Sequence, residues 1–225
     1  MVVSVAMFVL AGCGGGGSGR SGPTASNLSF PFAAGYGARI AAGATDNYSI
    51  SGSCAGSATM TNGAASASTF EGVTGFAAAQ TLTQSLTNCT PATNAVSGTT
   101  YWDSNFAPLG YSIPGVEYAK FLTAPPPLPA SVRVGDTGVY ATLTRYTDST
   151  KTVTTGQSVL SYVIEADSAD TAVVNLISMD YNTSNQLLFT QQTRMQISAN
   201  GTLSAVSIDV QASTTSTIHL VYTKA

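Results

Sequence analysis

Charge is what this chain has least of. Asp, Glu, Lys and Arg make up 8% of its 225 residues, about a third of the usual ~25%. The formal net charge is −3, with only eight Lys plus Arg. Nucleic acid is held by a dense positive face, so no nucleic-acid partner is expected. The same scarcity removes the i,i+4 ion pairs that support long exposed helices and coiled coils. Histidine occurs once, which leaves little room for the commonest general base and metal ligand. The apolar run at residues 2–12 is shorter than the ~20 residues a helix needs to cross a bilayer. No Gly-x-Ser-x-Gly elbow presents a serine nucleophile. No glycine cluster leads into Gly-Lys-Ser/Thr, and no twelve-residue Asp/Asn loop is present to bind calcium. No cofactor and no metal are expected. In place of charge the chain uses Gly, Ala, Ser and Thr.

The run at residues 2–12 has the length of a signal-peptide core, and Leu10-Ala11-Gly12-Cys13 closes it. Small residues ahead of a cysteine let a peptidase reach the backbone. These 13 residues resemble the lipobox of bacterial lipoproteins, although only Met1 precedes the apolar core where that family carries a basic stretch. The resemblance implies that residues 1–12 are a cleaved signal peptide. It also implies that Cys13 carries a diacylglycerol thioether, with its new amine acylated by a fatty acid such as palmitate. A Gly/Ser-rich tether follows at 13–26, too poor in apolar side chains to order itself. Position 14 is Gly rather than the Asp that retains enterobacterial lipoproteins at the inner membrane. By that comparison the expected address is the periplasmic side of the envelope, with the outer membrane favoured and the lipid as the membrane partner.

Setting Cys13 aside leaves Cys54 and Cys89, an even pair in an oxidising compartment, read as one disulfide.

Pro125-Pro126-Pro127-Leu128-Pro129 favours polyproline II and forbids a helix or central strand, so a linker is expected at 124–130. Before it, residues 27–123 alternate apolar and polar side chains in short stretches punctuated by glycine. Asn47-Tyr48-Ser49-Ile50-Ser51 and Thr81-Leu82-Thr83-Gln84-Ser85-Leu86 are examples. Short strands, glycine turns and a disulfide suggest a small β-sandwich, immunoglobulin-like in architecture. Ala77-Ala78-Ala79-Gln80 is the one stretch here that could form a helical turn.

After the linker, 131–225 holds six candidate strands separated by short turns, among them Asn200-Gly201, a strong hairpin dipeptide. They form an antiparallel meander, curling into a curved sheet or half-barrel. In its first strand Tyr140 and Tyr146 fall on one face, with Val139 and Leu143 on the other. The expected fold class is all-β throughout. Val134-Gly135-Asp136 followed by a Tyr-containing strand resembles a pattern in uncharacterised β-rich envelope lipoproteins of Gram-negative bacteria. The curved sheet is similar in outline to lipoprotein carriers of acyl chains.

Few residues offer chemistry. His219 falls out of phase with Ile218, Leu220 and Tyr222, on the less apolar face of the last strand. Glu165 and Asp167 lie two apart, as a glycosidase pair could, yet Asp167-Ser168-Ala169-Asp170 also reads as a turn. Glu117 and Asp103 lack a supporting constellation. The patch Tyr101, Trp102, Asp103, Phe106 and Tyr111 has the aromatic and polar groups of a sugar-binding surface, and equally those of a core plug.

The leading expectation is a lipid-anchored envelope protein without enzymatic activity, a binding or structural module for an envelope protein, polysaccharide or lipid. One alternative is a carrier or chaperone sheltering a lipid or acyl chain in the curved C-terminal sheet, which requires an internal cavity. Another is a hydrolase of envelope glycans.

Overall fold

A computed structural model describes residues 23–213 and 218–225. The expected signal peptide, Cys13 and the tether up to residue 22 lie outside the described residues. One helix precedes a long run of strands. The helix is α1 (Phe32–Ala42). The strands are β1 (Ala44–Gly52), β2 (Ala55–Asn62), β3 (Ser66–Phe70), β4 (Val73–Thr87), β5 (Thr93–Asp103), β6 (Pro108–Ile113) and β7 (Glu117–Phe121), then β8 (Thr137–Tyr146), β9 (Thr154–Ala166), β10 (Thr171–Asn182), β11 (Leu187–Ser198), β12 (Leu203–Ala212) and β13 (His219–Lys224).

Every pairing is antiparallel. The meander from β4 to β13 continues from β13 to β1 and β2, and β2 returns to pair with β4. Twelve strands therefore close a barrel. β3 stands outside the count: β4 is long enough to carry β3 along residues 73–77 and β2 along residues 80–87.

The all-β expectation holds, while the expected division into a sandwich and a half-barrel does not. β1 supplies the physical reason. One of its edges takes β2 and the other takes β13, with Tyr48 opposite Lys224 and Ile50 opposite Tyr222. Closure satisfies edge N–H and C=O groups that an open sheet would expose. Nor does the proline segment separate two bodies. It connects β7 to β8, which are neighbours in the barrel with Tyr118 opposite Tyr146. Leu128 within it is buried beside Phe30, Phe32 and Val132, and the Ala33 N–H donates to the Pro129 carbonyl at 3.2 Å. The segment folds across one end of the barrel. Ala77-Ala78-Ala79-Gln80 is strand, inside β4.

Strand alternation decides which side chains enter the barrel. Tyr48 and Ile50 of β1, Ile208 and Val210 of β12, and Leu220 and Tyr222 of β13 share one inward-facing cluster. Ser49 and Ser51, Ser57 and Thr59, and Thr81, Thr83 and Ser85 occupy the opposite phase. On β1, β2 and β4 the outer face is thus lined by small hydroxyls, whereas β9 and β10 carry Val159, Val163, Val173, Ile177 and Met179 in the outward phase. Bulges shift the phase locally. The one between Val139 and Ala141 turns Tyr140 inward with Leu143 while Val139 is exposed and Tyr146 stays outside with Phe70 and Tyr118. The single-face reading of Tyr140 and Tyr146 fails there, because an extra residue inverts a period of two.

A twelve-stranded barrel is too wide for its own side chains to fill, since eight strands already reach that limit. Helix α1 and the residues before it occupy one end. Phe30 and Phe32 are fully buried against the strands, each contributing roughly 1.5–3 kcal/mol. Two features bring the helix close. Gly35 presents bare backbone to the β11–β12 turn, where a Cβ would fall 2.1 Å from the Gly201 carbonyl oxygen. Gly43, at φ 70°, ends the helix and returns its N–H to Arg39 and Ile40.

The Cys54–Cys89 disulfide joins the β1–β2 turn to the β4–β5 loop at the other end, with Cα atoms 5.8 Å apart.

Candidate functional site

Inward-facing side chains are not packed equally around the barrel. On the C-terminal strands Ile164, Val174 and Ile197 are fully enclosed. Across the lumen, Met60, Leu82, Val96 and Ile113 face inward yet keep partial exposure. They face unfilled space.

That space forms two adjoining chambers. The first, about 310 Å³, lies towards the end away from α1, between Leu82, Val96, Ile113, Ile208, Val210 and Tyr222. The second, about 240 Å³, lies against α1, bounded by Tyr36, Arg39, Asp46, Trp102, Leu176 and Met195. Met60, Gln80, Gln191 and Ile208 line both. The first chamber alone reaches the lower end of the range for small-molecule sites, and apolar walls with a few placed polar groups are typical of them.

Arg39 and Asp46 line the second chamber, and a second charged cluster stands behind Tyr111 and Ser178 of the first. Beside the second, the Arg39 guanidinium and the Lys224 ammonium share the single carboxylate of Asp46. Lys224 Nζ is 2.9 Å from Asp46 Oδ1, and Arg39 pairs with Oδ2. Arg39 also reaches the Leu203 carbonyl at 3.4 Å. Next to them the Trp102 indole is 4% exposed. Its N–H approaches the Tyr36 hydroxyl, but the contact misses hydrogen-bond geometry and the donor has no partner among the described residues. Burial pushes the Tyr36 phenol up.

At the far end of the first chamber the balance is reversed. Arg145, 5% exposed, lies 2.9 Å from the Glu117 carboxylate and 3.2 Å from that of Asp180. It donates to the Tyr181 carbonyl at 2.9 Å. Tyr111, lining the chamber, donates to Glu117, and Ser178 donates to Asp180 at 3.2 Å. Burial raises the Glu117 carboxyl above its usual range, against the opposing pull of Tyr111 and Arg145. Burial likewise pushes the Tyr111 phenol well up, and the neighbouring carboxylates add to it.

The aromatic patch read from the sequence is divided by the strand itself. Trp102 and Tyr111 turn into the lumen. Tyr101 turns outward and stacks on Phe70 at 4.2 Å. Asp103 caps the β5–β6 loop, accepting from the Asn105 and Ala107 N–H groups at 2.8 Å. Phe106 stacks on Phe76 at 4.7 Å. No common surface collects the five residues.

Glu165, Asp167 and His219 lie outside the lumen and are engaged, whereas Glu117 belongs to the buried cluster around Arg145. Glu165 accepts from Asn175 and pairs with Arg194 at 3.1 Å. Asp167 accepts from Thr171 at 2.6 Å and Gln196 at 2.8 Å. His219 is half-exposed and pairs with Asp209 at 3.0 Å. Among the described residues no group of three His, Cys, Asp or Glu side chains is arranged to hold a metal.

Sequence reasoning passed over Gln80, Gln191, Arg39, Asp46 and Arg145. One signal was available: Gln84 occupies the same phase as Leu82 and Leu86, so a polar amide stands in the inward register of β4. Polar groups in the core phase of a strand mark a wall that faces something other than packed side chains. Comparison with protein-family models, curated proteins and solved structures finds no match to this chain.

Proposed function

We propose that this protein is a lipid-anchored binding protein of the bacterial cell envelope, without enzymatic activity, that holds a small amphiphilic molecule in the lumen of its barrel. The observation that carries the reading is the partly exposed inner wall formed by Met60, Leu82, Val96 and Ile113 around two adjoining chambers. Apolar side chains left facing unfilled space forfeit dispersion contacts and desolvation that a ligand would restore. The sheltering site belongs to the whole barrel: β2, β4, β5 and β6 supply as much of it as the C-terminal strands. The hydroxyls on the outer face of β1, β2 and β4 suit that side of the barrel to water, with the barrel held at the membrane by the lipid that the lipobox reading assigns to Cys13.

Binding of a neutral, environment-sensitive naphthylamine dye tests the lumen. The dye is expected to brighten with wild-type protein and to be displaced by lipid extracts of bacterial envelopes. Leu82→Trp and Val96→Trp, which fill the first chamber, are expected to abolish binding while circular dichroism stays β-rich. Unchanged binding in both variants would place the dye outside the barrel and overturn the reading. Mass spectrometry of protein made in a Gram-negative host tests the anchor. A chain beginning at an acylated Cys13 is expected, and an intact Met1 with a free thiol at position 13 would remove it.

A further inference from the structure

We infer that the lumen is polarised and selects a single-chain anionic amphiphile, its carboxylate against α1 and its tail in the first chamber. This rests on the lumen-binding reading above and goes on to specify head-group charge and orientation.

Three observations converge on the α1 end. Arg39 and Lys224 share one carboxylate, Asp46, which leaves one positive charge uncompensated in the immediate cluster. Arg39 lines the second chamber. Trp102 faces the same chamber, is 4% exposed, and its ring N–H has no hydrogen-bond partner among the described residues. A buried donor without an acceptor is costly, and an anionic oxygen is the acceptor that would gain most from it. Tyr36 adds a neighbouring hydroxyl. A monoanion here would meet the unused charge and the unused donor together.

The opposite end disfavours the reverse orientation. There Arg145 already serves two carboxylates, Glu117 and Asp180, so a third anion would meet charge of its own sign. Between the two ends the first chamber offers Leu82, Val96, Ile113, Ile208 and Val210 to an alkyl chain. Gln80 and Gln191 stand at the junction, the Gln80 amide held between Asn62 and Thr100 at 2.8 and 2.7 Å.

The test compares laurate, dodecanol and dodecyltrimethylammonium as displacers of the neutral dye, because they share a tail and differ in head charge. Laurate is expected to bind at least about tenfold more tightly than dodecanol, with the cation weakest. Arg39→Gln is expected to remove the preference for laurate while the dye still binds. Trp102→Phe, which keeps a ring but loses the donor, is expected to reduce that preference without affecting dodecanol.

The single tryptophan supplies the orientation. A fatty acid brominated beside its carboxylate is expected to quench Trp102 emission more strongly than one brominated at its terminal methyl. Equal affinity for all three head groups, or stronger quenching from the terminal bromine, would overturn the polarised site while leaving lumen binding intact. Failure of the dye itself to bind would instead sink the reading on which this one rests.

Discussion

Replacing Arg145 by Met is the sharpest probe of the barrel's interior. The guanidinium is nearly enclosed, 2.9 Å from Glu117 and 3.2 Å from Asp180, and it holds the Tyr181 carbonyl at 2.9 Å. Methionine preserves much of the apolar stem and removes the charge. Two carboxylates are then left facing each other without a counter-ion. Breaking a buried pair in this way costs about 3–5 kcal/mol, mostly because the remaining charge is stranded. In urea, with a slope of roughly 1–3 kcal/mol per molar, the midpoint should fall by roughly 1–2 M or more.

The loss should depend on pH, in a direction set by Glu117. Its carboxyl is raised in the folded protein, first by burial. Between the ordinary carboxylate range and that raised value the folded state holds a proton that the unfolded state has released. Stability linked to Glu117 is therefore fully present in acid and lost as pH rises through the folded value. Removing Arg145 takes away one of the groups holding that value down, so the window widens. Urea titrations near pH 7 and about pH 5 should show a smaller deficit at the lower pH. The triple variant Arg145→Met, Glu117→Gln, Asp180→Asn should recover most of the loss. A deficit below ~1 kcal/mol, the range of an exposed pair, or one that ignores pH, would refute the stranded-charge argument.

Three further outcomes are expected. Cys54→Ser with Cys89→Ser opens a crosslink spanning a sequence separation of 35, and should cost about 4 kcal/mol on the chain-entropy account, read as a lower urea midpoint than the oxidised protein. Gly35→Ala should destabilise by about 1–3 kcal/mol despite alanine's helix preference of ~1 kcal/mol, because its Cβ would meet the Gly201 oxygen at 2.1 Å; a stabilised variant in thermal melts would deny the close helix–turn contact. Lys151, Tyr118 and Lys120 together hold Glu71 down to about 2 against the opposing effect of burial, so NMR should place its midpoint near there. Stability from this group should be present above the ordinary carboxylate value and fade as pH falls through about 2; a midpoint at the ordinary value would remove the cluster from the account.

The sequence by itself determined the material of the fold. Alternation over 47–51, 81–86 and 160–164 is a local property, and those residues lie in β1, β4 and β9. Asn200-Gly201 and the turn at 167–170 are local in the same sense, as is the parity that pairs Cys54 with Cys89. Low charge, abundant Thr and Ser, and apolar residues in one phase were enough to specify strands with a wet face and a dry one.

What only the tertiary structure decided is which edges meet. β1 pairs with β13 across nearly the whole chain, and β2 returns to β4. Backbone hydrogen bonds carry no side-chain signature, so a closed barrel and two open sheets look alike in sequence. The site follows from closure. Arg39, Trp102 and Asp46 come from α1, β5 and β1, and only a barrel with that helix across one end brings them to one chamber. The helix was hidden for a related reason. Its segment 32–42 holds two glycines that weaken intrinsic helicity, and packing against the barrel overrides that weakness. Periodicity records which way a side chain points; it does not record what stands opposite.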